Sequence, residues 1–381
     1  MRGSVVRRGK KWSIVFDVGI DANTGKRKQK WESGFTKKAD AQRALRERLG
    51  SVEREGYHEP TKENVADFLR GWLAGRPSLE ETTRASYRMI IERRIIPAIG
   101  TMPARGVGAD DLQRLYVRLA TSGARGGKPL SPRSVLYVHS VLGKAFRDGV
   151  RMKRLTHNPV GDVEPPTLTR HEYSVWGPAQ VRKFLEHVRD DRLYAAWRIF
   201  AMVGPRRGEV AGLQWSGVDF ERGTLRISQT MTLADNKIIT KPRTKTGRPR
   251  IVSLDTDTVA GLRAWGKRQK EERLRAGEAW QDTGRVFTWE DGSVVNPERW
   301  SDWFSQHARD ARLPRIRLHD LRHSAATAML AAGLPTKLVS DRLGHSNTAT
   351  TTDIYQHATQ ELQAHTAAAI AAIIDGAAEI R

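Results

Sequence analysis

No cysteine occurs anywhere in the 381 residues. Disulfides, thiolate nucleophiles and cysteine zinc sites are therefore excluded. Long apolar runs are missing as well. No stretch approaches the roughly 20 residues that span a bilayer, and the greasiest patch, residues 367–374, is short and mostly alanine. The opening Met-Arg-Gly-Ser-Val-Val-Arg-Arg has no apolar core of the secretory kind. Negative charge is scarce: 43 Asp and Glu stand against 65 Lys and Arg, a formal net charge of +22. Asp and Glu clusters with metal-site spacing are also wanting, so no metal or other cofactor is expected. What remains is a basic chain suited to a polyanionic partner. An anionic membrane surface has nothing else in the sequence behind it, which leaves nucleic acid. A hydrophobic share of 39% is enough to build cores, and the length suits two or three domains. A cytoplasmic place is the expectation.

The first segment, residues 1–58, reads as a small β unit followed by a helix. Trp12, Ile14, Phe16, Val18 and Ile20 alternate as in a half-buried strand. Residues 21–25 read as a turn, and a basic strand runs from Lys26 to Phe35. Thr36 suits the N-cap of a helix carrying Ala41, Leu45, Leu49 and Val52. Residues 1–40 hold eleven Lys and Arg against four Asp and Glu. That imbalance favours a nucleic-acid surface, with Arg7, Arg8, Lys10, Lys11, Lys26, Arg27, Lys28 and Lys30 as its candidate contacts.

The second segment, residues 61–166, reads as all helix. Its apolar positions recur at helical spacing, and Ser131-Pro132 supplies an N-cap and an N1 proline. Basic side chains, including Arg84, Arg88, Arg133 and Lys144, are interleaved with the apolar ones. That pattern suits a helical DNA clamp and, equally, a plain solvated bundle. The third segment, residues 173–381, mixes helices with a β patch. Stretches 224–230, 237–240 and 250–254 suit a three-stranded antiparallel sheet. The fold class is thus mainly α with small β-sheets, a multi-domain α+β chain.

Four clusters in the third segment carry chemistry-bearing residues. Gly204-Pro205-Arg206-Arg207-Gly208-Glu209 puts two arginines in a glycine-flanked turn, where a guanidinium fork can pair with two phosphate oxygens. Residues 244–250 form a basic hairpin sequence containing Lys245. His319 and Arg322 are three apart and share a face if helical. Leu343-Gly344-His345 is followed by Tyr355. Singly, each has an ordinary explanation as a surface ion pair, a turn, a helix start or a core tyrosine. Together and in this order they are specific.

In that order the clusters resemble the catalytic domain of the tyrosine recombinases, the phage-integrase family, over about residues 173–360. The resemblance implies Tyr355 as the nucleophile that forms a 3′-phosphotyrosine. Arg206 and Arg322 would hold the phosphate, with Glu209 in support. His319 would act as base, Lys245 as general acid and His345 as a hydrogen-bond donor. Val203 and Pro205 depart from the family's usual spelling, and Arg207 and Lys241 stay open as alternatives to Arg206 and Lys245. The resemblance also implies an N-terminal arm-binding unit made of a small three-stranded sheet plus helix, a helical core-binding domain and a mixed α/β catalytic domain. It further implies a homotetramer on double-stranded DNA with core-type and arm-type attachment sites, strand exchange through a Holliday junction, and an apolar C-terminal tail that docks either within its own chain or on a neighbour. An excisionase and a host DNA-bending protein are partners it allows. Two other readings share part of the pattern: a type IB topoisomerase-like enzyme and a non-catalytic DNA-binding regulator.

Overall fold

A computed structural model describes residues 3–20, 27–55, 63–168, 174–241 and 249–344. The chain divides into two compact units, residues 1–169 and 170–381. Among the described residues no helix is long and apolar enough to cross a membrane.

The first unit opens with an antiparallel sheet of Gly3–Arg8, Lys11–Ile20 and Arg27–Phe35, paired in that order. The alternation read from the sequence sets its inner face. Ile14, Phe16 and Val18 are buried together with Ala41 of the Lys38–Glu55 helix, which lies across that face with Ala44, Leu45 and Leu49. Gly3–Arg8 carries only two apolar residues, too few for its alternation to show in the sequence. Its strand character comes from pairing, with Val5 opposite Ile14. The helix starts at Lys38 rather than directly after Thr36.

The helical part of this unit packs Val65–Ala74, Glu81–Ile90, Ala109–Ser122 and Pro132–Arg151 around one core. Ser131 caps the last of these as its spacing suggested, its side chain accepting from the Ser134 N–H at 3.3 Å. Residues Ile91–Ile95 form a π-turn just ahead of Pro97. A wider turn suits a proline that cannot donate back into the helix. Phe68 and Phe146 meet edge-on in the core, with ring centroids 5.5 Å apart.

In the second unit the Tyr194–Val203 helix is buried almost all round. Such a helix belongs in a core rather than on a surface. Its own Trp197 and Phe200 join Trp176, Phe184, Trp300 and Phe304 in one aromatic group. The helices Pro178–His187 and Thr256–Ala276 pack against the Tyr194–Val203 helix. The Arg299–Asp310 helix is preceded by a turn in which the Asn296 side chain accepts from the Glu298 N–H at 2.9 Å.

The β patch differs from the single sheet expected. Thr224–Ile227 pairs with Arg250–Ser253 on one side and Val218–Asp219 on the other. Thr230–Ala234 and Lys237–Lys241 form a separate two-stranded ribbon. The cause is local. Asp235 and Asn236 both have positive φ, +47° and +61°, as a two-residue type I′ hairpin turn requires. That turn folds Lys237–Lys241 back onto its own predecessor.

Phe146 is fully buried, so Phe146→Ala leaves a hole that the helices cannot close. Loss of about 3–5 kcal/mol is expected. Chemical denaturation measures it, with faster hydrogen exchange across Pro132–Arg151 as the local sign.

Candidate active site

The Tyr194–Val203 helix ends at Gly204, whose φ of +66° is the left-handed conformation that stops a helix. A β-carbon there would lie 2.7 Å from Leu343 Cδ2, so the chain also passes close to the Thr336–Leu343 helix. Two residues on, Arg206 caps the short Arg207–Ala211 helix. Glu209 reaches back to this cap. Its Oε2 accepts from the Arg206 backbone N–H at 3.0 Å, and its Oε1 accepts from Arg206 Nη1 at 3.0 Å. The same carboxylate takes two bonds from Arg250, Nη2 at 2.7 Å and Nη1 at 3.2 Å.

The two arginines also hold the chain at residues 342–344. Arg206 Nη2 donates to the Gly344 carbonyl at 3.1 Å, and Arg250 Nε donates to the Arg342 carbonyl at 2.9 Å. Glu209 is only 1% exposed. Burial alone would push its carboxyl up, but the hydrogen bonds and charge of Arg250, then those of Arg206, outweigh this and hold it below the ordinary carboxylate range.

Arg322 enters from the Leu318–Ala331 helix. That helix begins with Asp320 accepting from the backbone and side chain of Arg317, which fixes the first turn. Arg322 is 2% exposed, and its Nη1 donates to the Gly204 carbonyl at 2.7 Å. Among the described residues its buried Nη2 has no hydrogen-bond partner. Burial, then the charges of Arg206 and Arg250, push its pKa down to about 9, with Glu209 pulling the other way. Two guanidiniums therefore bind one carboxylate, and a third, that of Arg322, lies only within its electrostatic reach. Such a group is short of negative charge, and an oxyanion with several acceptor oxygens would answer that shortage.

His319 precedes Arg322 by one turn, and its ring meets His323 edge-on at 5.1 Å. The ring is solvent-exposed. Even so, partial loss of its water shell, followed by the influence of His323, Arg322 and Arg206, holds its pKa down to about 4. At neutral pH it is an uncharged imidazole.

The structure thus brings Arg206, Glu209, Arg322 and His319 into one electrostatic neighbourhood. Arg207 turns away from it, donating to Ser301 Oγ at 3.1 Å. Lys241 ends the ribbon strand opposite Thr230. Lys245, His345, Tyr355 and the C-terminal tail lie outside the described residues. So does Lys26, and the side chain of Arg27 is not described. Sequence reasoning gave no role to Arg250. It stood at the end of the hairpin motif, and only its pairing with a buried carboxylate marks it out.

The proposed nucleic-acid contacts fall into distinct settings. Arg7, Arg8, Lys10, Lys11 and Lys28 are exposed, and Lys30 is half-buried. Arg8 lies over the Trp31 ring at 4.3 Å, with Trp31 itself 44% exposed. Arg88 and Arg133 are exposed. Lys144 sits over the Tyr87 ring at 5.8 Å. Arg84 has a structural task as well, donating to the carbonyls of Arg76 and Pro77 at 2.7 and 3.1 Å.

The phage integrase family matches residues 177–361, an arm DNA-binding domain family matches residues 4–52, and an integrase N-terminal SAM-like domain family matches residues 64–119. A tyrosine recombinase XerC-like protein of Caldanaerobacter subterraneus is 26% identical over 92% of this chain and 94% of its own length. An integrase of Streptomyces ambofaciens is 28% identical over 91% and 89%. The ICEBs1 integrase of Bacillus subtilis is 30% identical over 60% and 62%. Among solved structures, the Tn1549 transposon integrase in complex with a circular intermediate DNA superposes with a TM-score of 0.65 at 18% identity, over 77% of this chain and 95% of that one. A lambda integrase dimer bound to a core site superposes at 0.59 and 14%, over 92% and 93%. These likenesses show a shared fold.

The depressed histidine has a consequence for stability. An unfolded chain takes up a proton on His319 near pH 6.5, whereas the folded chain resists until about pH 4. Stability from this group is therefore complete above pH 6.5 and falls as the pH drops from 6.5 towards 4. Melting temperatures across pH 8 to 4 should decline through that window, and less steeply in His319→Gln.

Proposed function

Because the chain belongs to the tyrosine recombinase (phage integrase) family, we propose that it is a site-specific DNA strand transferase serving a phage or other mobile element. It cuts and rejoins attachment sites through a covalent 3′-phosphotyrosine. The observation that carries this reading is the group of Arg206, Arg250 and Arg322 around the single carboxylate of Glu209, with one Arg322 nitrogen left without a partner among the described residues.

A phosphodiester is an anion, so an approaching nucleophile meets repulsion. Arg206 and Arg322 face that problem directly. They hold the non-bridging oxygens and stabilise the charge that grows in the pentacoordinate transition state. In this reading the Tyr355 oxygen attacks phosphorus, the bond to the 5′ oxygen breaks, and a 3′-phosphotyrosine forms. The tyrosine proton passes to His319, whose neutral ring at pH 7 suits a base. Lys245 gives a proton to the departing 5′ oxygen, and His345 donates a hydrogen bond to the phosphate. A 5′ hydroxyl from a second duplex then reverses the step, which conserves the bond energy and requires no nucleotide cofactor. A homotetramer carries the exchange through a Holliday junction. The N-terminal sheet with its exposed basic side chains is assigned to arm-type sites and the helical part to core-type sites, with an excisionase or a DNA-bending host protein as accessory partners.

Full-length protein mixed with a randomised library of nicked duplexes tests the chemistry. A detergent-resistant protein–DNA adduct with the 3′ phosphate on Tyr355 is expected by peptide mass spectrometry, and none from Tyr355→Phe. Adduct formation by Tyr355→Phe, or none by the native protein, overturns the reading. Deleting residues 1–58 should remove arm-type binding and leave core cleavage measurable on the sequences recovered.

A further inference from the structure

Arg250 lies outside the set of residues given a chemical role above, although it binds both oxygens of Glu209. Its guanidinium is 10% exposed and has all three nitrogens engaged. Two of them grip both oxygens of Glu209, and the third donates to the Arg342 carbonyl. Glu209 in turn holds Arg206 by backbone and side chain. One guanidinium therefore joins three chain segments: the Arg250–Ser253 strand, the turn at Arg206, and the C-terminal end of the Thr336–Leu343 helix. Gly344, with φ +72°, closes that helix, and a β-carbon on it would lie 2.8 Å from Arg250 Nη1. The Leu343-Gly344 pair leads directly into His345.

We propose that Arg250 is a positioning residue for strand cleavage: by sharing Glu209 with Arg206 it aims the phosphate-holding guanidinium, and by holding the Arg342 carbonyl it sets where the segment carrying His345 and Tyr355 departs. The proposal rests on the strand-transfer reading above. It does not bring Arg250 itself to the phosphate, since its donors are already committed. Its effect is transmitted through Glu209.

The shared carboxylate also predicts a pH effect. Glu209 faces Arg250 and Arg206, with Arg322 within electrostatic reach. Without Arg250 the carboxyl stays buried but loses its largest stabilising partner. It then takes up a proton at a higher pH than in the native protein. A protonated Glu209 accepts less well from Arg206, so cleavage should fail earlier on the acidic side.

The test uses full-length protein and a nicked duplex recovered from the library. Arg250→Met should cleave roughly 10- to 100-fold more slowly in a single turnover, the range seen when a partner that orients a reactive group is lost. Its Kd for the same DNA should be unchanged, and the acidic limb of its pH–rate profile should move to higher pH. Arg250→Lys retains the charge but not the two-pronged geometry. It should fold even if Arg250→Met does not, recover part of the rate and keep a smaller shift of the acidic limb. A variant that cleaves at the native rate, or one slowed with an unmoved pH profile, overturns the positioning role. An adduct in the native protein with either result refutes this role alone, whereas no native adduct refutes the strand-transfer reading and this role with it.

Discussion

Glu209 is a carboxylate taken almost wholly out of water, and the second unit is arranged around making that tolerable. An isolated buried charge is costly enough that such a group ordinarily gives up its charge. Here two guanidiniums and a backbone N–H reach it from separate parts of the chain. Each partner needs a fixed approach. Arg206 requires the tight turn at Gly204, which follows the buried Tyr194–Val203 helix. Arg250 requires its strand to pair with Thr224–Ile227. Both then hold the end of the Thr336–Leu343 helix through its carbonyls. Removing one partner of such a buried group is worse than never having built it, because the remaining charge stays stranded. This gives the local geometry little freedom to relax.

The same arrangement explains why the site favours anions over cations. Arg322 has a depressed pKa, and so has His319. Loss of water is the first cause in both, and the neighbouring guanidiniums act in the same direction, so an added positive charge is unfavourable there. An environment of that sign would, in the proposed reading, lower the cost of a phenolate and of the charge that grows on a phosphate. It also keeps an imidazole neutral at a pH where a free histidine is partly charged. In the proposed reading the cations that hold the phosphate also help, after burial, to keep the neighbouring proton acceptor uncharged.

Much of this was legible in the sequence because the chemistry uses residue types in short, ordered motifs. Arg206 and Glu209 are three apart, and so are His319 and Arg322. Helical spacing alone predicts that each pair shares a face. The buried strand of Trp12 to Ile20 was legible for a similar reason, since its alternation is long. What escaped was set by pairing across the chain. Gly3–Arg8 has too few apolar residues to announce itself and is a strand by virtue of its neighbour. The ribbon depends on Asp235 and Asn236 accepting positive φ, which is a turn signal of only two residues. Arg250 is 41 positions from Glu209, and one basic residue among several in a hairpin sequence gives no sign of which carboxylate it will meet.

The charge surplus can now be divided by what each cation touches. Arg206, Arg250 and Arg322 are ordered by buried or carbonyl partners and lie in one field. Arg84 and Arg94 donate to backbone carbonyls and hold turns. Arg8 and Lys144 rest on aromatic rings with their charge still open to a partner. Cations of the first kind are fixed before any ligand arrives, so they can discriminate a transition state from a ground state. Those of the last kind are long, solvated and displaceable. They suit a backbone of phosphates, where affinity comes from releasing counterions and falls steeply with salt. One net charge thus conceals two physical tasks. Burial separates them: in the proposed reading Arg206 and Arg322 act on a single phosphate while Arg250 orients Arg206 through Glu209, and the exposed cations act along the length of the duplex.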